Sequence, residues 1–358
     1  MGYDLAVAGG GPAGAAAAIT AARQGSKVLL LEAGRFPRHK VCGEFVSSEA
    51  VGLLRKLLGP EFASVVDGAP VTREARFFGD GTVAHFSIPP AASISRYELD
   101  AALWRAAQAA GADCRLSTPV ESVARRDDRF LVRTPGSSFI ARSMIDASGR
   151  QSKLKKKRAA GNRAGRWVGL KAHFSSARPV EPVTDMFFFP GGYCGIQPLS
   201  SNLVNVCALV AADVTTRLKD VFELHPELAR RREQWGDPAV VLATASLLFA
   251  PPEPDDDGLL HAGDRAAFID PFAGDGISMA LRGGALAAAA AGAISRGDAS
   301  IEAASRQYHA GYCSHFAPAL RFSARLRMLM NAPAFIRKAA LSAMGSRTIA
   351  RYVVAHTR

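Results

Sequence analysis

The stretch DLAVAGGGPAGAAAAITAARQGSKVLLLEAG, residues 4–34, constrains this chain more than any other. An apolar run from Leu5 to Ala8 enters Gly9, Gly11 and Gly14 at G-x-G-x-x-G spacing. An alanine-rich helix follows, then a second apolar strand, Val28 to Leu31, ending at Glu32. Three glycines alone mark only a turn, but the strand before, the helix after and the acid at this distance make a βαβ dinucleotide fingerprint. Gly9 makes the tight turn, Gly11 lets a pyrophosphate approach the backbone, and Gly14 allows close helix packing. The helix N-terminus offers free N–H groups and partial positive charge to an anion, and Glu32 is placed to take two ribose hydroxyls.

At 358 residues the chain exceeds the roughly 250–300 residues at which single cores stop growing, so two intimately joined domains are expected. An apolar content of 48% with 21% charged residues is that of a globular protein. The apolar stretches Gly14 to Ala22 and Gly283 to Ile294 fall short of the roughly 20 residues a membrane span needs. Neither a transmembrane helix nor a signal peptide is expected, since the first strand begins at once, and Ala6 spoils a myristoylation pattern at Gly2. The expected location is cytoplasmic, at most peripheral to the inner membrane surface. Five cysteines without metal-ligand spacing argue against a disulfide framework and against a metal site.

A formal charge of +12 is concentrated in KLKKKRAAGNRAGR, Lys153 to Arg166, and after Glu302, where no acidic residue occurs. The plain reading is a solvated basic surface. The sharper one is contact with an anionic membrane surface or an acidic carrier protein, because Arg321, Arg325, Arg327, Arg337 and Lys338 alternate with Leu326, Met328, Leu329, Met330 and Phe335. No nucleic-acid module accompanies the charge, so no nucleic-acid partner is expected.

After the fingerprint, FPRHKVCGEFVSSEA, Phe36 to Ala50, reads as an extended loop leading to a helix near Ser47. Cys42 reads either as a small buried hydrophobe or as a residue on the cofactor side of the loop; Arg38 and Lys40 read also as solvated. In SISRYELDAALWRAA, Ser95 and Glu98 form a capping box and place Arg96 in the first helical turn, where a cation opposes the helix dipole. Val120 to Val123 reads as a strand, and Arg129–Thr134 with Ser138–Gly149 as a hairpin. Between Trp167 and Leu248 the alternating runs WVGLKAHF, TDMFFFPGGYCGIQPL, LVNVCALVA and VVLATASLLFA predict a mostly antiparallel sheet, interrupted by helix near Leu218 to Gln234. Its aromatics, Phe187, Phe188, Phe189 and Tyr193, read first as core. A second decisive stretch, Leu259 to Ile294, carries a strand ending at Gly263 and Asp264, a loop with Asp270, Pro271, Gly274 and Gly276, and a long alanine-rich helix.

GGGPAG with Glu32, Arg96 in R-x-x-L-D, and GDRAAFIDPFAGDGI together resemble the p-hydroxybenzoate hydroxylase-like superfamily of FAD enzymes over nearly the whole chain. PRHKVCGEFVS, IDASGRQS and GGYCGIQP resemble its geranylgeranyl reductase and tailoring-oxidoreductase branch. The resemblance implies an α/β architecture: a Rossmann-like FAD-binding domain, an inserted, mostly antiparallel substrate sheet, and C-terminal helices. The corresponding divisions are 1–70, 92–165 and 255–300 for the first, 71–91 and 166–254 for the second, and 301–358 for the third. It implies one non-covalent FAD with its pyrophosphate at Gly9, Gly11 and Gly14, its ribose at Glu32 and its adenine near Val120. Asp264 would bind the ribityl and pyrophosphate region, and Pro271, Gly274, Gly276 and Ile277 would line the isoalloxazine. There the helix N-terminus would face negative charge on the reduced ring. Arg38, Arg96 and Cys42 would approach from the other side. His261 reads as a strand end rather than a covalent attachment.

The departures bear on chemistry. Where the hydroxylases carry Ala-Asp-Gly-x-x-Ser and a basic residue, this chain has Ala147, Ser148, Gly149, Ser152 and Lys155. The acid associated with NAD(P)H use is missing, with the neighbouring Asp146 a partial substitute; NAD(P)H stays open as electron donor. The W-x-W-x-I-P signature of flavin halogenases has no counterpart around Trp104, Trp167 or Trp235, which argues against halogenation. Three readings follow. A monooxygenase would hydroxylate an apolar, aromatic or polyketide-like molecule through a flavin C4a-hydroperoxide, and leads because it is the commonest chemistry on this architecture. An ene-reductase would saturate an isoprenoid or polyketide double bond, with Cys42 and Glu44 as catalytic candidates. A flavoprotein that only stores or senses redox state is the third.

Overall fold

The computed structural model describes residues 2–154, 167–244, 247, 249–330 and 332–356. Most of the basic run from Lys153, with Lys155, and three positions of VVLATASLLFA lie outside them.

The fingerprint folds as expected. Strand Gly2–Ala8 pairs in parallel with Val28–Leu31 on one side and with Ser137–Asp146 on the other, and Asp113–Arg115 and Leu259–His261 extend the parallel sheet at its two ends. Every side chain of Val28–Leu31 is buried, as a parallel strand covered on both faces requires. The hairpin Arg129–Thr134/Ser137–Asp146 is present, whereas the strand expected at Val120 begins at Ser122. Helix Pro12–Arg23 covers one face of this sheet and packs against helix Gly276–Arg296. Backbone contact sets this packing. A Cβ on Gly284 would lie 2.1 Å from the Ala13 carbonyl oxygen, and one on Gly14 would lie 1.8 Å from that of Gly9.

Helix Gly276–Arg296 is longer than the apolar run in the sequence suggests. Its 21 residues are apolar enough to cross a membrane by length and composition, but 67% of its most apolar window is buried inside the protein. It is the central helix of the dinucleotide-binding layer.

The second sheet runs in the order Val241–Ala243, Trp167–Ser175, Leu203–Ala211, Gly192–Ser200, Thr184–Phe189, Val71–Gly79, Thr82–Ser93, Phe45–Val46. All its pairs are antiparallel except Thr184–Phe189 with Val71–Gly79. Phe45–Val46, from the loop after the fingerprint, joins this sheet by pairing with Ser93 and Ala92. The hairpin thus runs past the expected boundary at 91. Period-two alternation separates the two faces. Leu170, Phe174, Phe187 and Val206 pack outward beneath the helical insertion, against Phe222 and Leu228, while Tyr193, Leu209, Phe188 and Met186 face inward toward Phe249, Phe268 and Phe272.

Three C-terminal helices follow: Ile301–Met330, Ala334–Met344 and Arg347–His356. Met344 and Ala350 pack on Phe77, Phe86 and Ile88 of the second sheet. Asp255 and Asp256 form a short strand. Asp255 accepts hydrogen bonds from Ser305 Oγ at 2.7 Å and His309 Nδ1 at 2.8 Å.

Candidate active site

The fingerprint glycines serve different purposes. Gly9 has φ +101°, and a Cβ there would lie 2.4 Å from the Ala147 carbonyl oxygen. Gly11 has φ −70° and ψ −177°, ordinary extended backbone, and a Cβ on it would meet only Arg96 Nη2 at 3.9 Å. Nothing in the protein therefore requires glycine at position 11, so the open space above it is free for a ligand. Glu32, at the tip of the second strand, is buried and accepts from Gly10 N, Gly34 N and Arg38 Nη1 at 2.8, 2.8 and 2.9 Å. Burial raises its pKa, and those donors more than reverse the effect, so it stays ionised.

Cations gather beside this hollow. Arg96 clasps Asp100, one helical turn on, through two bonds of 2.7 Å, which answers the conflict between its charge and the helix dipole. Arg150 faces Asp264 at 3.4 Å, and the Asp264 side chain is 44% exposed. Burial pushes the Asp264 carboxyl up, against the pull of Arg150, Arg96 and Lys40. Lys40 has no carboxylate in ion-pair range among the described residues. Burial, Arg38 and Arg96 lower its pKa, and Glu32 and Asp100 offset this only in part. Arg38 Nε is buried without a partner. Surplus positive charge, a partnerless buried donor and an open glycine fit a dinucleotide diphosphate.

Val120 is half-buried against the apolar cluster that contains Leu29 and Leu31. The loop Asp270 to Gly276 precedes the long helix Gly276–Arg296. Asp270 caps the short turn Pro271–Ala273, Gly274 has φ +67°, and a Cβ there would lie 3.0 Å from the Phe45 ring. Pro271 and Gly276 are exposed, while Ile277 is buried at the start of the long helix. Asp270 also accepts from Tyr193 Oη at 3.2 Å and from Arg327 Nη1 at 3.3 Å. The C-terminal helix thus reaches the loop expected to line the flavin, and Arg327 stacks over Phe249 at 3.6 Å. The composition of the C-terminal segment gives no sign of this role for Arg327.

The Cys42 loop lies between the two sheets. Cys42 is half-buried, its sulfur receives the Glu44 N–H at 3.4 Å, and its carbonyl accepts from Asn205 Nδ2 at 3.1 Å. Glu44, expected beside it as a catalytic group, is instead fully buried in the left-handed region at φ 58°. Its carboxylate accepts from Arg96 N and His173 Nε2, each at 2.7 Å, and from Lys171 Nζ. With both oxygens engaged and no exposure, Glu44 shapes the turn that carries Cys42 and does not itself face the hollow. Lys171 and His173 were missed from sequence. The one available signal was a lone lysine inside the apolar strand WVGLKAHF. Cys207, opposite Lys171 in the neighbouring strand, is another unforeseen neighbour; burial and Cys42 push its thiol up to about 12.

Removing Lys171 strands Glu44 as a buried, undercompensated charge. Lys171→Met should cost about 3–5 kcal/mol, read as a marked fall in melting temperature at neutral pH. Burial raises the Glu44 pKa, but His173 and Lys171 outweigh it, and the net shift is downward. Its stabilisation is therefore complete above the unfolded carboxyl value of about 4.3 and fades as pH falls through the lower folded one. The gap between wild type and Lys171→Met should narrow over that acid range. A gap independent of pH would remove Glu44 from the explanation.

Of two expectations about neighbouring residues, one changes and one holds. Asp146, weighed as a substitute for the missing motif acid, is buried and occupied by Ser152 Oγ at 2.6 Å, Ser148 N at 3.0 Å and Arg265 Nε at 3.0 Å. It pins the turn after its strand and is not available to a nucleotide. His261 is a strand end as expected, held between the Glu253 carbonyl at 2.7 Å and Arg265 at 3.0 Å.

A family model described as FAD dependent oxidoreductase matches residues 4–69. The menaquinone reductase of Mycobacterium tuberculosis is 30% identical over 320 residues, 80% of this chain and 75% of that protein. The digeranylgeranylglycerophospholipid reductase of Methanosarcina acetivorans is 26% identical, over 84% of this chain and 78% of its own. Among solved structures, a flavin-dependent brominase superposes with a TM-score of 0.81 at 22% identity, covering 100% of this chain and 93% of the other. Fingerprint, hollow, two-sheet architecture and relatives agree, and the chain belongs to the FAD-dependent oxidoreductases.

Proposed function

We propose that the chain is a reductase of carbon–carbon double bonds in an apolar, isoprenoid-like substrate, and that Cys42 delivers the proton. The observation that carries this reading is the setting of Cys42: a half-buried thiol on the loop between the two sheets, its sulfur accepting the Glu44 N–H at 3.4 Å. Sequence similarity to two proteins named as reductases, one of menaquinone and one of a geranylgeranyl lipid, supports it.

FAD would be held by the Gly11 backbone, Glu32, Arg38 and Asp264, with the loop Pro271 to Ile277 against its ring; reduced, it would supply hydride to one alkene carbon. Cys42 gives its proton to the other carbon, so that two hydrogens add across the bond. The Glu44 N–H at the sulfur holds the thiolate that remains until solvent returns the proton. Phe77, Phe188, Tyr193 and Phe272, with ring centroids 5.4–6.2 Å apart, offer the substrate an apolar wall. That same enclosure, by keeping water out, also suits the second reading, hydroxylation with O₂.

Anaerobic turnover distinguishes the two without knowledge of the natural electron donor. Photoreduced protein mixed under nitrogen with a geranylgeranyl lipid should yield product heavier by two hydrogens, detected by mass spectrometry. Product that forms only after an O₂ pulse, and carries one added oxygen, would overturn the reductase reading in favour of hydroxylation. Flavin reoxidation with neither product would leave only a redox-storing flavoprotein.

A further inference from the structure

We propose that the outer face of the C-terminal helices is a docking surface for an anionic lipid bilayer. Nine lysines and arginines and no acidic residue follow Glu302. Arg327 and Arg337 are committed inward, to Asp270 and Asp80, but Arg321, Arg325, Lys338 and Arg351 make no ion pair among the described residues. The same segment is unusually apolar outside. Six of the thirteen exposed large hydrophobic side chains among the described residues fall between Met328 and Tyr352. Phe335 is 74% exposed, Met328 66% and Tyr352 56%.

Cations and apolar groups share faces. Arg321, Arg325 and Met328 recur at i, i+4 and i+7 on the helix Ile301–Met330. On Ala334–Met344, Phe335 and Lys338 point away from Arg337, Leu341 and Met344, which hold the helix to the second sheet. The last helix is tied to the first of the three by Phe322, Tyr352 and His356, with ring centroids 3.9–6.1 Å apart. The helices thus form one fixed support.

The occupant follows from charge. A second copy docking through the same face would set cations against cations, with no acid to relieve them. A bilayer rich in anionic lipid accepts both components: headgroups take the guanidinium and ammonium groups, and Phe335 and Met328 enter the boundary with the acyl chains. Arg327 departs from this same helix toward Asp270, so docking would hold the membrane against the wall of the hollow.

Vesicle flotation tests the surface without turnover, so its failure leaves the reductase reading untouched. The FAD-loaded protein should float with mixed phosphatidylcholine/phosphatidylglycerol vesicles at low salt, and not with phosphatidylcholine alone. Arg321→Gln/Arg325→Gln/Lys338→Gln should weaken partitioning by about 100-fold, roughly fivefold per charge removed, and Phe335→Ser should weaken it at unchanged salt dependence. All these positions are exposed, and retained FAD verifies the fold of each variant. No flotation of wild type, flotation equal in all variants, or self-association through this face in place of lipid binding would each overturn the proposal.

Discussion

Gly11→Val should give a folded but colourless protein. Position 11 has extended backbone that valine adopts without strain, and its Cβ would meet only the tip of Arg96 at 3.9 Å. The branched side chain instead fills the space where a diphosphate approaches the helix N-terminus. Purified Gly11→Val should lack flavin absorbance and melt with the wild-type apoprotein, showing loss of ligand rather than of fold. Gly14→Ala is the contrast: a Cβ at position 14 lies 1.8 Å from the Gly9 carbonyl oxygen, so that variant should fail as a fold. Full FAD content in Gly11→Val would remove the fingerprint from cofactor binding.

Cys42→Ala should leave FAD bound and reducible while cutting product formation by about 10²- to 10⁴-fold, the range typical of losing an acid–base group. The loop should keep its shape, because Asn205 holds the Cys42 carbonyl and Glu44 is held by Arg96, Lys171 and His173; none of these bonds uses the sulfur. Cys207 is a poor substitute for the lost group, since its buried thiol is pushed up to about 12. If the chemistry is hydroxylation, the same change only enlarges a pocket wall. Oxygen would still reoxidise the flavin, with hydrogen peroxide released in place of some product. A lowered melting temperature with unchanged product yield would remove Cys42 from the mechanism altogether.

The elements that proved legible from sequence share one property: their cause lies within a few residues. Gly9 needs its positive φ for the turn it makes, and Ser95 caps the helix that starts at Arg96 by accepting from Glu98 N at 3.2 Å. Glu32 follows a short buried strand. Period-two alternation was enough to recognise an antiparallel layer between Trp167 and Ala211, though not that Phe45–Val46, far earlier in the chain, would close its edge.

The electrostatics of the site were not legible, because partners there are chosen by sheet register and helix docking across long stretches of chain. Lys171 meets Glu44 across 127 positions, and Arg337 meets Asp80 across 257. Shifting strand Trp167–Ser175 by one residue would turn Lys171 outward beneath the helical insertion and leave Glu44 a stranded charge. The sequence by itself determined a dinucleotide-binding βαβ unit with its glycines and acid, because steric and hydrogen-bond demands of neighbouring backbone leave few alternatives. Only the tertiary structure decided that Glu44 is a buried support for Cys42, that Asp146 is spent on Arg265, and that Arg327 reaches the loop at Asp270. Each of these depends on which charge burial brings within a few ångströms of another.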